Sequence, residues 1–341
     1  MKWIMAVFGV LTVCFSLSSA AAHNKVVVIP LHSASKLANV VTVSLQGGDF
    51  TSPVAAVNSI TDAGPTNPYV VLIGPGVYTL TETLVMKEYV SVMGTGEQST
   101  KLTGAISTIS FDVDASSAIV SGADNVTLSD LTVENTGGST MSSALYNENS
   151  SPLIQNVTAS AYGGVYSHGV YNVSSSPTMT NMTASATGGN INHGVINISL
   201  SSPTMSNMTA IASLGNYNFA VGNQGSSPTM TNMTASASGG THCTGVYNDG
   251  SSVIMSDVTA IATGGTESRG VYNINGSPTI RNCTLKGDNF GMIFDGGTTH
   301  VMRSSILGVV SVLSGGTLTC VNSDNGVATP LSSFCQPEPS P

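Results

Sequence analysis

Ser176-Pro177-Thr178-Met179-Thr180-Asn181-Met182-Thr183-Ala184 is answered by Ser202-Pro203-Thr204-Met205-Ser206-Asn207-Met208-Thr209-Ala210. Further copies stand at Pro152, Pro228, Val253 and Pro278, so the intervals along the series are 25, 26, 25, 25 and 25. A repeat this short cannot bury its apolar face alone. Copies must stack on one another, which is the signature of a solenoid.

Within the repeat, Thr183, Ala184, Ser185 and Ala186 alternate polar and small apolar, the period of a strand. Met179 and Met182 are three apart and break that alternation. The surrounding Pro, Thr, Ser and Gly disfavour a helix. A bend at Asn181 explains the spacing, because Asn tolerates left-handed backbone angles and lets both Met side chains point inward. The following Gly188-Gly189 segment is a second corner. The repeat is thus one coil of short strands, stacked in parallel at about 4.8 Å. Strand twist and crossover hand make the solenoid right-handed. The expected fold is all-β, a right-handed parallel β-helix of about 25 residues per coil.

In such a coil, aligned positions become ladders. One reads Asp130, Asn156, Asn181, Asn207, Asn232, Asp257, Asn282, and a second reads Asn147, Asn172, Asn197, Asn223, Asn248, Asn273. Stacked amides can bond from coil to coil. Ile154, Met179, Met205, Met230, Met255, Ile280 and Leu145, Val170, Val195, Val221, Val246, Val271 are core columns. Methionine fills irregular interiors, so the Met column needs no ligand to explain it.

Of 341 residues 8% are charged, and the formal net charge is −9. No Lys or Arg stands between Lys101 and Arg269. Nucleic acid requires clustered cations, so that partner is excluded, and anionic lipid is disfavoured on the same ground. Lys2, the apolar run from Trp3 to Val13 and Ser19-Ala20-Ala21-Ala22 read as a signal peptide over 1–22, and the expected location is outside the cytoplasm. Leu11-Thr12-Val13-Cys14 is a poor lipoprotein box. No later stretch spans a bilayer. Export permits a disulfide between Cys320 and Cys335. Cys283 reads as core, and Cys243 as a loop residue.

Residues 23–68 are expected to form an N-terminal strand and a capping helix. The helix runs from Pro53 to Ala63, with Ser52 as N-cap and Val54, Val57 and Ile60 on one face. Residues 69–335 form the β-helix, most regular over 136–285, and 336–341 a tail.

Val41-Thr42-Val43, Gly48-Asp49-Phe50, Ala55-Ala56-Val57, Gly74-Pro75-Gly76-Val77-Tyr78 and Val90-Ser91-Val92-Met93-Gly94-Thr95-Gly96 resemble the opening of the pectin methylesterase family. The resemblance covers about residues 40–104 and implies the pectin-lyase-like fold and its cap. It also implies a test of chemistry. That family works through two carboxylates and an arginine in QDTL-, DFIFG- and GRPW-like motifs. Phe290-Gly291-Met292-Ile293-Phe294-Asp295-Gly296 is a loose echo of the second, and the others are missing. Asp112 and Asp114 are too few for the calcium shell of a lyase. Residues 136–256 contain two acids, Glu148 and Asp249, little for general acid–base work.

Two columns remain as site candidates. His168 and His193 are one coil apart, but the column continues as Phe219, Thr244 and Arg269. No third ligand completes a metal site, and both histidines are expected at the surface. Tyr146, Tyr171, Tyr247 and Tyr272 share a column broken at Ile196 and Gly222, and are expected to point outward. They either stack on sugar rings or brace the sheet. Arg281 is expected to be solvated. The sequence therefore reads as an exported protein without cofactor or metal, non-catalytic, binding polysaccharide through the Tyr column or serving as structure. A polysaccharide-active enzyme of pectin esterase or lyase type, using Asp112, Asp114, Asp130 or Asp295, is the alternative. An adhesin or fibre component that oligomerises end to end is the third reading.

Overall fold

The computed structural model describes residues 39–109, 115–313, 315–326, 331–332 and 335. The expected signal peptide over 1–22, Cys14, Asp112, Asp114 and the tail 336–341 lie outside the described residues. The rest forms a parallel β-solenoid of about nine turns. Every strand pairs in parallel with the equivalent strand of the next coil, as Thr183 with Thr209 and Val170 with Val195. This is the right-handed parallel β-helix that the period dictates.

Each coil turns three corners. The first is the Asn bend, where Asp130, Asn156, Asn181, Asn207, Asn232, Asp257 and Asn282 all take φ between 49° and 57°. Left-handed backbone costs other L-residues roughly 1 kcal/mol and is cheapest for Asn, Asp and Gly. The second corner is the glycine pair, with Gly163, Gly188, Gly239 and Gly264 at φ 63–77°. The third lies near Ser174, Ser199 and Gly250, also at positive φ.

The coil interior is filled by Met179, Met182, Ala184, Ala186 and Val170 and their equivalents, all buried. Amides share this interior. Asn147 Nδ2 donates to Asn172 Oδ1 at 2.8 Å, and the chain of bonds continues through Asn197 and Asn223 to Asn248 at 2.8–2.9 Å. A buried polar group without a partner costs about 1–3 kcal/mol, so these residues must stack in register. Asn273 leaves the ladder and donates to the Gly276 carbonyl instead.

One helix, Pro53–Ser59, lies at the N-terminal end. Ser52 caps it by accepting from the Ala55 N–H, Pro53 opens it, and Val54, Ala56 and Val57 enter the core. It stops four residues earlier than the sequence pattern suggests. Ile60 is extended, and Lys87 Nζ donates to the Asn58 and Ile60 carbonyls at 3.0 and 2.8 Å, terminating the helix electrostatically. At the other end Cys320 and Cys335 are disulfide-bonded, with Cα atoms 5.1 Å apart. Among the described residues no helix is long and apolar enough to cross a membrane.

Candidate functional site

Successive coils contribute Met141–Glu148, Tyr166–Val173, Ile191–Ile198, Tyr217–Gln224 and residues 242–249 and 267–274 to one sheet. Its inner surface carries Asn172, Asn192, Asn197, Asn218 and Asn223, all fully buried. Its outer surface carries rings. Simple alternation would put His168 and Tyr171 on opposite faces, yet their rings meet edge-on with centroids 4.7 Å apart. Gly169 between them explains this. A Cβ there would lie 2.7 Å from the Ser185 nitrogen, so glycine alone lets the two sheets approach and the strand kink.

The rings form one path along the solenoid axis. Tyr146 meets Tyr171 at 5.9 Å, His168 stacks on His193 at 5.4 Å, and His193 stacks on Phe219 at 5.1 Å. Phe219 meets Tyr247 at 5.3 Å, Tyr247 meets Tyr272 at 5.7 Å, and the Arg269 guanidinium lies 5.0 Å from the Tyr272 ring centre. The Tyr column that the sequence breaks at Ile196 and Gly222 is thus bridged by the neighbouring His/Phe column. Gly222 makes room for the crossing, since a Cβ there would stand 2.7 Å from Ile196 Cδ1 and 3.0 Å from His193 Cδ2.

Three expectations are corrected. His168 and His193 are buried rather than at the surface. Tyr146 is buried, at 1% exposure, while Tyr171, Tyr247 and Tyr272 are half-buried. Cys243 is a buried strand residue packed 3.9 Å from Asn218 Nδ2, not a loop residue. The ring ladder covers its own members His168, His193 and Tyr146, whereas Cys243 is buried because it continues the inward Asn218 column on a strand that runs from Thr229 to Asp249. Burial holds His168 well below its ordinary value, with His193 adding to the effect, and lowers His193 to about 4. Burial, with Asp249 and Tyr272 nearby, pushes Tyr247 up to about 12.

A second outward row escaped the sequence reading, although it obeys the same period. Tyr166, Ile191, Tyr217, His242 and Glu267 pair coil to coil. Tyr217 is 40% exposed and stacks on His242 at 4.7 Å. His242 Nδ1 lies 3.0 Å from Glu267 Oε2, and Arg269 donates to the same oxygen. Beside this row an open groove of about 580 Å3 runs over the glycine corners, lined by Gly188, Gly189, Asn190, Leu214, Gly215, Asn216, Gly239 and Gly240. Asn216 Nδ2 donates to Asn190 Oδ1 at 2.6 Å in it.

Asp130 and Asp295, two of the carboxylates that the enzyme reading calls on, do not converge. Asp130 accepts from Asn156 at a bend, and Asp295 ends a strand six coils further on, about 29 Å away at the strand spacing. Glu267 is engaged by His242 and Arg269. Among the described residues no three His, Cys, Asp or Glu side chains cluster to hold a metal. The face is built for ring stacking and neutral hydrogen bonds.

No protein-family model and no curated protein matches the sequence. Solved structures do match in fold. A pectin methylesterase from carrot has 16% identity and a TM-score of 0.50, covering 91% of each chain. A pectin methylesterase from Erwinia chrysanthemi has 13% identity and a TM-score of 0.45, over 90% of this chain and 94% of its own. A mannuronan C-5 epimerase A-module from Azotobacter vinelandii has 15% identity and a TM-score of 0.45, over 79% and 93%. At these identities the likeness is one of backbone, and the carrot structure together with the coil geometry shows a right-handed parallel β-helix fold.

Proposed function

We propose that the chain is an exported, non-catalytic β-helix protein that binds an extended polysaccharide along its aromatic sheet. One observation carries this reading: the exposed Tyr217–His242 stack and the half-buried Tyr171, Tyr247 and Tyr272 lie on one sheet beside a groove, braced by the buried rings of Tyr146, His168 and His193. Aromatic faces stack on the apolar faces of sugar rings, and amides such as Asn190 and Asn216 complement hydroxyls. The carrot protein of like fold is named for pectin, which supports a glycan as ligand class. The separation of Asp130 from Asp295 supports binding over hydrolysis at those two residues, because general acid–base catalysis needs two groups converging on one bond.

The test is affinity electrophoresis of the mature protein in polysaccharide gels, beside an assay for released reducing ends and released methanol. Retardation by at least one polysaccharide, weakened in Tyr217→Ala and Tyr247→Ala and unaccompanied by product, is expected. Turnover of any bound polysaccharide would restore the enzyme reading.

A further inference from the structure

Resting on that reading, we propose that the aromatic sheet selects a neutral polysaccharide and rejects polyuronates. The selection comes from where charge is placed. A chain bearing one carboxylate per sugar is held by cations spaced along its track, ideally by bidentate arginine. The coils that carry the ring ladder have none to spare. Between Lys101 and Arg269 the sequence holds no Lys or Arg, so the coils carrying the ladder from Tyr146 to Tyr247 offer no cation.

Arg269 itself is committed. Its guanidinium donates to Glu267 and lies over the Tyr272 ring, and its side chain is only 14% exposed. Three carboxylates flank the same sheet: exposed Glu148 at one end, Asp249 beside Tyr247, and Glu267 beside His242. With Glu267 and Arg269 neutralising one another, Glu148 and Asp249 leave the face net negative and repel a polyanion, the more so because the surrounding surface supplies little compensating charge.

What the face does offer is suited to hydroxyls. Tyr217 presents an exposed ring next to Asn216. The Asn216–Asn190 bond uses one N–H and one carbonyl, and leaves the Asn190 amide nitrogen and the Asn216 carbonyl as donor and acceptor among the described residues. Glu267, already held by Arg269 and His242, is an oriented acceptor of the kind that grips vicinal hydroxyls.

The experiment compares retardation of the full mature protein in gels of xyloglucan and mixed-linkage β-glucan with gels of polygalacturonate and alginate, each at low and moderate salt. Binding to a neutral glucan, at least about tenfold tighter than to either polyuronate and unchanged by salt, is expected. Binding led by a polyuronate would overturn the selectivity while leaving the binding reading intact. Retardation in no gel would remove the binding reading and this inference with it. A second arm uses Glu148→Lys with Asp249→Lys, both at accessible strand ends. It should gain polygalacturonate affinity several-fold at low salt while keeping glucan affinity, and no gain would contradict the charge argument.

Discussion

The same coils present two sheets that invert one another. Over Thr178–Thr187 and Thr204–Ser213 the inside is apolar, with Met179, Met182, Ala184 and Ala186, and the outside is Thr and Ser. Over Tyr166–Val173 and Ile191–Ile198 the inside carries amides, Asn172, Asn192 and Asn197, and the outside carries rings. The hydroxyl sheet follows the ordinary rule of burying apolar groups. The aromatic sheet keeps its rings on the outer side and shares its interior between the Val170, Val195 and Val221 column and a hydrogen-bonded amide ladder. A solenoid can do this because stacking in register lets each amide from Asn147 to Asn223 donate to the next, up to Asn248. Under the proposed function, stability resides inside this sheet and recognition outside it.

The largest test of that division is Asn197→Leu. It strands the Asn172 amide and the Asn223 carbonyl oxygen in the interior, and should cost about 4 kcal/mol in urea unfolding. A loss near zero would mean the ladder is ornamental. The second test is acid. Burial holds His193 at about 4 against an unfolded value near 6.5, so the unfolded chain takes up protons first as pH falls. Stability is full above about pH 6.5 and declines toward pH 4, with His193 contributing about 3 kcal/mol. His193→Phe, which repeats the ring of Phe219, should flatten that part of the profile in denaturation curves taken across the range.

Third, Phe219→Ala removes contacts to both His193 and Tyr247. It should lower stability by about 2 kcal/mol and weaken glycan retardation, since it cuts the ring path at its crossing. Smallest of all, Thr209→Val on the hydroxyl sheet should change stability by roughly 0.5 kcal/mol or less and leave glycan binding unaltered. A large binding defect there would move the ligand to the other face.

Much of this architecture was legible in the residues. The 25-residue period, the left-handed bend at Asn181 and the amide column at Asn172 and Asn197 follow from spacing and residue type alone, because each coil repeats the same local solution. The site was legible only in part. Tyr171 and Tyr247 stand out by column, but the kink at Gly169 that brings His168 beside Tyr171 depends on how closely two sheets pack, which no single strand encodes. Cys243 reads as a loop residue because Gly239-Gly240 looks like a break, whereas the strand runs on through it, from Thr229 to Asp249. The helix end at Ser59 is likewise set by Lys87, distant in sequence.

The most direct measurement is hydrogen–deuterium exchange of the mature protein with and without a retained neutral glucan oligosaccharide. The inverted sheet as recognition surface predicts new protection at 188–190, 214–219, 242–249 and 267–272, with the hydroxyl-bearing strands unchanged. Protection confined to 178–187 and 204–213 would contradict it.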